Sequence, residues 1–254
     1  MHNRKQKPDN YHEILDTLRQ PRPSLSPSRF SDTHFEAFQE KNDQAKTEST
    51  VMSRVFPLII GDSDIPAEGN LPFKNLAHIT DGTISKAQPD HYDGIRPSDL
   101  NIKIRNTLSS TIVPSSNTSA PCLPNFFAEG KGPGGHANTA KRQACYDGAL
   151  GARAMESLRS FTDSDAALDG KAYTISSTYG GGAGGGLLTL YATHPMPASE
   201  NQHSVEYRMT QLNGWHMTGN INSFREGASA LRNARDWALE QRIRLVSGAN
   251  CKTQ

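Results

Sequence analysis

The chain has 254 residues, a formal net charge of +1 at pH 7 and 35% hydrophobic residues. This length allows a sizeable buried core, and the near-neutral charge excludes a protein that attracts polyanions over its whole surface, so any nucleic-acid contact must come from local patches. The cysteines Cys122, Cys145 and Cys251 are widely spaced, which argues against a disulfide scaffold or a zinc ribbon. The sequence has no apolar run of membrane-spanning length and no secretory signal pattern, so we expect an intracellular protein of the nucleus or the cytoplasm.

The polar, proline-bearing start of the chain, residues 1–30, is predicted to be a flexible tail, although Asn10 to Leu18 has the spacing of a short helix. Basic residues at its very beginning fit either a nuclear address or a solvated tail. Residues 31–54 are predicted to form a helix, capped by Ser31 or Asp32. A single domain is expected over residues 31–245, followed by a C-terminal tail over residues 246–254.

The rest of the chain alternates between predicted strands and predicted helices. The apolar run at residues 55–61 fits a helix end or a strand, and helices are predicted over residues 97–108, 138–158 and 224–245. Strands are predicted over residues 75–80, 89–92, 125–131, 172–178, 187–193 and 205–212. The glycine-rich stretch at residues 180–186 lacks the Lys-Ser/Thr of a phosphate-binding loop and is predicted to link two strands as a hairpin. This order predicts an α/β or α+β fold.

Glu129 and Lys131 are the first residues that point to a functional site. They lie two positions apart in a predicted strand, so their side chains share one face. A carboxylate beside an ammonium group suits a hard divalent cation and a water molecule held next to it. A second carboxylate must come from another part of the chain, and the candidate is Asp90, which follows Pro89 at the start of an earlier predicted strand.

The pattern Pro89-Asp90 followed by Glu129-x-Lys131 resembles the PD-(D/E)xK nuclease superfamily, which includes many restriction enzymes and the RecB-type exonucleases. The run R-Q-A-C-Y-D-G-A at residues 142–149 is similar to the helix that follows the E-x-K strand in RecB-like members, and a group of uncharacterised fungal proteins carries the same run. The likeness spans about residues 30–245. It implies a restriction-endonuclease-like core, in which a mixed central sheet is flanked by helices, and hydrolysis of nucleic-acid phosphodiesters with Mg²⁺ or Mn²⁺.

The resemblance also implies roles for individual residues. Asp90 and Glu129 are expected to bind the metal, and Lys131 is expected to orient the attacking water or to stabilise the transition state. In RecB-like members a glutamine on the following helix faces the metal, which makes Gln143 a supporting catalytic residue. The superfamily often has a glutamate on its first core helix, and Glu48 is the candidate for this further metal ligand.

Three residues near the start of the helix predicted at 138–158 are candidates for nucleic-acid contact. Tyr146 lies three positions after Gln143, so the two are neighbours on a helix surface. Its ring fits contact with a phosphate, stacking on a base, or simple packing between helix and sheet. Lys141 and Arg142 lie close to the same helix start and are candidates for phosphate contacts.

Two alternatives stay open within this interpretation. Asp93 competes with Asp90 as the second carboxylate, although Tyr92-Asp93-Gly94 has the pattern of a turn. Four arginines of the last predicted helix fall within roughly a third of its circumference and fit either a nucleic-acid track or a salt-bridged surface. They are Arg225, Arg232, Arg235 and Arg242.

The sequence therefore predicts a metal-dependent nuclease acting on DNA rather than RNA. The alternative is a catalytically inactive module that keeps the nuclease fold and binds nucleic acid or protein. Gly130 fits this alternative, because related enzymes usually carry a bulkier apolar residue at that position. The low net charge of the chain fits it as well.

Overall fold

The computed structural model describes residues 7–162, 167–198 and 205–253. These residues form a six-stranded sheet with its strands in chain order. The strands are β1 Ala67–Glu68, β2 His91–Ile95, β3 Cys122–Lys131, β4 Thr174–Gly180, β5 Leu187–Pro197 and β6 Val205–His216. Strands β3 and β4 are parallel and all other neighbours are antiparallel. The predicted α+β class, with a mixed central sheet flanked by helices, is confirmed.

The helices flank this sheet. They are α1 Tyr11–Leu18, α2 Asp32–Gln44, α3 Glu48–Thr50, α4 Phe56–Ile60, α5 Ile102–Thr107, α6 Ser109–Ile112, α7 Ala137–Thr162 and α8 Ile221–Thr253. A π-helical turn at Val51–Val55 joins α3 to α4, and single 3₁₀ turns lie at Pro23–Leu25 and Pro97–Asp99. None of the helices in the described ranges is long and apolar enough to cross a membrane.

Helix α2 begins as predicted but ends early. Ser31 forms a capping box with His34 at its start. The chain leaves the helix at Ala45, which is extended, and Asn42 in the last turn accepts a hydrogen bond from the Tyr179 hydroxyl and donates one to the Gly182 carbonyl. These contacts tie the end of α2 to the glycine-rich connection after β4. The single helix predicted over residues 31–54 is therefore interrupted after Gln44 and resumes at Glu48, and the run at residues 55–61 is a helix end.

Helix α7 is the crossover between the parallel strands β3 and β4, as such a connection requires. Its two interior glycines allow close approach to the sheet. A Cβ atom at Gly148 would lie 2.5 Å from Thr193 Oγ1, and one at Gly151 would lie 2.6 Å from a ring carbon of Phe127. The sheet therefore approaches α7 more closely than any larger residue would allow, and this brings α7 over the end of β3.

The opposite face of the sheet packs against the amino-terminal helices and α8. Phe126 and Ala128 of β3 join a buried cluster with Phe38 of α2, Ile59 of α4 and Phe224 of α8. The strand residues between them point toward α7. Strand β3 is thus buried on both faces, and every one of its residues is solvent-excluded.

Both predicted tails are wrong for the described residues. Ile14 and Leu18 of α1 and Leu25 of the following turn are buried in the same cluster as α8. Asn10 exchanges two hydrogen bonds with the Ala172 backbone, at 2.9 and 3.0 Å. Helix α8 continues to Thr253, with Val246 and Ala249 buried. The basic residues proposed as a nuclear address lie outside the described residues, apart from Lys7.

Two predictions for the middle of the chain, a strand and a helix, are also wrong. Residues 75–80 form a loop instead of a strand, because Phe73 and Leu76 pack against Phe127 and the Asn75 side chain donates to the Ser109 and Val113 carbonyls. The helix predicted over residues 97–108 is divided between the 3₁₀ turn and α5, and α6 follows as a separate helix. The two strands predicted on either side of the glycine-rich stretch are present as β4 and β5 and pair as an antiparallel hairpin.

Candidate active site

The site lies where β3 ends, at the edge of the parallel pair. Glu129 and Lys131 point to the face covered by α7, together with Phe127, while Gly130 points to the other face and to Met52. The predicted common face of Glu129 and Lys131 is confirmed. Both side chains are buried, since only 1% of the Glu129 side chain and 8% of the Lys131 side chain are exposed.

The Lys131 ammonium group lies among three carboxylates that come from three separate segments. Its Nζ is 2.8 Å from Glu48 Oε2, 3.9 Å from Glu129 Oε2 and 4.0 Å from Asp90 Oδ2. It also donates to the Gly130 carbonyl at 2.7 Å. Asp90, Glu129 and Lys131 therefore meet in space, together with the further candidate Glu48.

Asp90 is held by the backbone of β3. It precedes β2 directly, and its Oδ2 accepts a hydrogen bond of 2.8 Å from the Gly130 N–H. Burial raises the pKa of Asp90, and the nearby Glu48 raises it further, against the opposing effects of the Gly130 hydrogen bond and the Lys131 charge. This carboxylate is therefore positioned by one strong contact and is otherwise turned toward the cluster.

Glu48 reaches the site from the first residue of α3. Thr47 caps this short helix by accepting a hydrogen bond from the Thr50 N–H. The loop after β3 runs directly against the helix start, since a Cβ atom at Gly132 would lie 2.9 Å from the Glu48 nitrogen. The glycine that follows Lys131 therefore allows the Glu48 side chain, which is 46% exposed, to reach the ammonium group.

Asp147 is a further member of the site that the sequence interpretation missed. It lies on α7 with 2% of its surface exposed, next to Glu129. Burial raises the pKa of both carboxyl groups, and the charge of Asp90 raises each pKa further. Asp147 also raises the pKa of Glu129. Among the described residues, Glu129 Oε2 and Asp147 Oδ2 have no hydrogen-bond partner. The signal was present, because Asp147 follows Gln143 by four positions and so shares its face of the helix.

The other predicted residues on α7 divide into two groups. Gln143 and Tyr146 line the same cavity as Glu129 and Asp147, and Gln143 Oε1 is buried without a partner in the described part of the chain. Arg142 also lines this cavity, whereas Lys141 is exposed in the second turn of α7 outside it. Three of the four predicted residues of α7 thus share a cavity with Glu129, and Lys141 does not.

The donor atoms suit a hard cation, although they do not already surround one. Carboxylate oxygens of Asp90, Glu129 and Asp147 and the Gly130 carbonyl are the ligands that Mg²⁺ prefers. The partnerless oxygens of Glu129 and Asp147 are buried where an unpaired anion is costly. In the described ranges, however, no three His, Cys, Asp or Glu side chains are arranged to hold a metal ion. The Lys131 ammonium group supplies the positive charge at the cluster.

The alternatives raised by the sequence are decided by burial. Asp93 is a strand residue and not part of a turn. Arg235 donates two hydrogen bonds to its carboxylate, at 2.8 and 2.9 Å. Arg242 is fully buried and donates to Asn125, and Arg232 donates to the last carbonyls of α4. Arg225, the fourth, donates to the Phe30 carbonyl at 2.7 Å. All four arginines are therefore bound within the fold and form no free nucleic-acid track, and the ion pair of Arg235 with Asp93 lies in the interior instead of on the surface.

Gly130 also has a structural explanation. A Cβ atom at this position would lie 2.3 Å from the Met52 sulfur. Met52 of the π-helical turn therefore fills the space that a bulkier strand residue would need. Packing against Met52 therefore accounts for the glycine at this position.

Comparison of the chain with protein-family models, with curated proteins and with solved structures finds no match.

Proposed function

We propose that this protein is a metal-dependent nuclease that hydrolyses phosphodiester bonds in nucleic acid, with DNA as its substrate. The observation that carries the proposal is the convergence of Asp90, Glu129 and Lys131 at the end of β3, with an ammonium nitrogen within 4.0 Å of each carboxylate. A buried cluster with more acidic than basic groups lowers the stability of a fold, and such clusters are concentrated at functional sites. The order of the motif along the chain and its spacing agree with the PD-(D/E)xK pattern.

The residues present would hold Mg²⁺ or Mn²⁺ through Asp90 and Glu129, with Asp147 beside them and Glu48 at the exposed side. Such an ion, when bound, polarises a phosphodiester and lowers the pKa of a coordinated water. The hydrogen bond from the Gly130 N–H keeps the Asp90 carboxylate oriented in the absence of any ligand. Asp147 supports Glu129 from α7, a position that we add to the predicted set.

Lys131 has the position of a group that acts on the reacting phosphate. Its ammonium group is buried and already surrounded by acceptors, so it loses little side-chain freedom when a phosphate or water replaces the Glu48 contact. Gln143 presents an unpaired amide oxygen to the same space. Lys141 and Arg142 are exposed on the adjoining helix and fit contacts to the phosphates of the strand.

The test is cleavage of labelled single- and double-stranded DNA with Mg²⁺, with Mn²⁺ and with EDTA. Cleavage should require the metal and should fall by about 10²–10⁴-fold in Lys131→Gln. Asp90→Asn, which keeps an acceptor for the Gly130 N–H, should fall comparably. Lys103→Gln is the matched control, because Lys103 is exposed on α5. Wild-type cleavage in both site variants would refute the assignment.

A second candidate function is an inactive module that binds nucleic acid or protein. It is favoured by the 2.8 Å ion pair between Lys131 and Glu48, which satisfies the ammonium group without any ligand. If this candidate is right, the protein binds DNA equally well with metal and with EDTA and produces no cut strand. Glu48→Gln separates the two, since freeing Lys131 should alter cleavage by an enzyme and leave metal-independent binding unchanged.

A further inference from the structure

A large cavity opens beside the carboxylates. Its volume is about 850 Å³, within the range of small-molecule sites in proteins. Glu129 and Asp147 belong to its wall, so the cavity and the proposed active site share these side chains. A ligand group in the cavity therefore lies next to the reacting centre.

The rest of the wall combines apolar and aromatic side chains with polar ones, among them Lys86, Gln88 and Arg142. Tyr146 of α7 and Tyr207 of β6 both line it, from two separate elements. Ile84 and Val205 also line it and stay 46% and 45% exposed, which places them among the few large apolar side chains on the described surface. An exposed apolar surface around a cavity is typical of a ligand-binding site.

The lining also offers hydrogen-bonding groups to a flat ring. Gln143 Oε1 is buried and unpaired in the described part of the chain, and Gln143 lines the cavity together with Tyr146 and Tyr207. Burial raises the pKa of Tyr207, so its hydroxyl remains protonated and able to donate. Aromatic rings combined with a few polar groups suit a heteroaromatic base better than an acyl chain.

We propose that this cavity receives one unpaired nucleobase of the substrate strand. The inference rests on the proposed function for the position of the scissile phosphate at Lys131. A phosphate at Lys131 and a base in the cavity cannot coexist with base pairing in an intact duplex, because the base must leave its stack. The preferred substrate is therefore single-stranded nucleic acid, or a duplex end or flap with an unpaired nucleotide.

The first experiment measures binding in EDTA, where metal-dependent cleavage is absent. A single-stranded oligonucleotide carrying 2-aminopurine reports base stacking by its fluorescence, and anisotropy of an end label reports affinity. The wild type should quench 2-aminopurine and bind the single strand more tightly than the duplex. Tyr207→Ser should weaken binding by about 5- to 100-fold and abolish quenching, as expected for the loss of one stacked base.

Matched variants separate the cavity from the rest of the surface. Val205→Ser and Ile84→Ser should each weaken binding by about threefold or more. Ile102→Ser and Ile243→Ser remove equally exposed side chains elsewhere and should bind as the wild type does. Thermal unfolding of each variant confirms that it is folded.

Two results would overturn the inference. One is unchanged binding and quenching in both Tyr207→Ser and Val205→Ser. The other is equal affinity for an oligonucleotide with an abasic site, together with displacement by a short-chain phospholipid, which would assign the cavity to an acyl chain. Quenching without cleavage under any metal condition would refute the nuclease while leaving the base site supported. Cleavage that depends on Lys131 but not on Tyr207 would support the nuclease and refute the base site.

Discussion

Two clusters of buried charge lie beside strand β2, and they differ in how their charges are satisfied. Asp93 in the strand has no exposed side-chain surface, and both of its oxygens accept hydrogen bonds, from Arg235 and from His91. Glu129 and Asp147 are nearly as buried, yet each keeps an oxygen without a partner among the described residues. The first cluster is complete within the protein, and the second is open.

The two clusters also differ in the direction of their pKa shifts. Burial alone would raise the pKa of Asp93, but the hydrogen bonds and charges of His91 and Arg235 outweigh it and lower the pKa. For Glu129 burial is again the largest effect, and the neighbouring carboxylates add to it, so the pKa rises. Burial by itself therefore does not distinguish a structural charge from a functional one. What differs between these two clusters is whether every carboxylate oxygen has a hydrogen-bond partner among the described residues.

The largest expected effect on stability comes from breaking the complete cluster. Asp93→Asn should lower the free energy of unfolding by about 3–5 kcal/mol, because it leaves the buried Arg235 without its counter-ion. Urea denaturation measures this, with Asp16→Asn as the control, since Asp16 forms an exposed pair with Arg19. The folded-state pKa of Asp93 is lowered, so its contribution is present above an unfolded pKa of about 3.9 and is lost as the pH falls through the folded value. A loss of less than about 1 kcal/mol would contradict the contrast between the clusters.

A smaller loss of unfolding free energy is expected at Gly130, where the strand that carries the open cluster packs against Met52. Gly130→Ala should cost about 1–3 kcal/mol, because the new methyl group meets the Met52 sulfur, and Met52→Ala should relieve much of this cost in the double variant. Gly180 pairs with Lys131 across β3 and β4, and a Cβ atom there meets nothing within 4 Å. Gly180→Ala is therefore the control and should leave stability unchanged or raise it by up to about 1 kcal/mol. Equal losses of stability in Gly130→Ala and Gly180→Ala would argue against packing as the cause.

The smallest effect should have the opposite sign. Glu129→Gln is expected to raise the free energy of unfolding by about 0.5–2 kcal/mol in EDTA, because it removes a buried carboxyl that lies beside the carboxyl groups of Asp147 and Asp90. The folded-state pKa is raised, so the wild type loses stability as the pH rises from about 4.3, the unfolded value, toward the folded value. The advantage of the variant should therefore grow with pH across this window. Destabilisation at pH 8 would mean that Glu129 is a structural residue, like Asp93.

Much of the fold was predictable because local patterns specify it. Alternation placed Glu129 and Lys131 on one face of β3, and the glycine-rich stretch did form the turn between β4 and β5. Ser31, one of the two predicted caps, precedes the first residue of α2. The end of α2 was not predictable, because it depends on Asn42 bonding to residues far along the chain.

The errors at the two termini have a common cause. The segment around Ile14 and Leu25 has few apolar residues and several prolines, so its composition is that of a flexible tail. In the structure these few residues enter a core built mainly by α8 and the sheet. A short polar segment can be ordered by a surface formed elsewhere, and no local pattern records that surface.

The sequence by itself determined the elements of the site: a carboxylate before β2, a carboxylate and an ammonium group two residues apart on β3, and a polar helix after them. Only the tertiary structure decided which charges are open, since it paired Asp93 with Arg235 and left Glu129 beside Asp147. It also decided that Met52 accounts for Gly130 and that Tyr207 of β6 faces the site. The physical reason is that residue type and period act locally, whereas the hydrogen-bond partner of a buried charge is selected by contacts between segments distant in the chain.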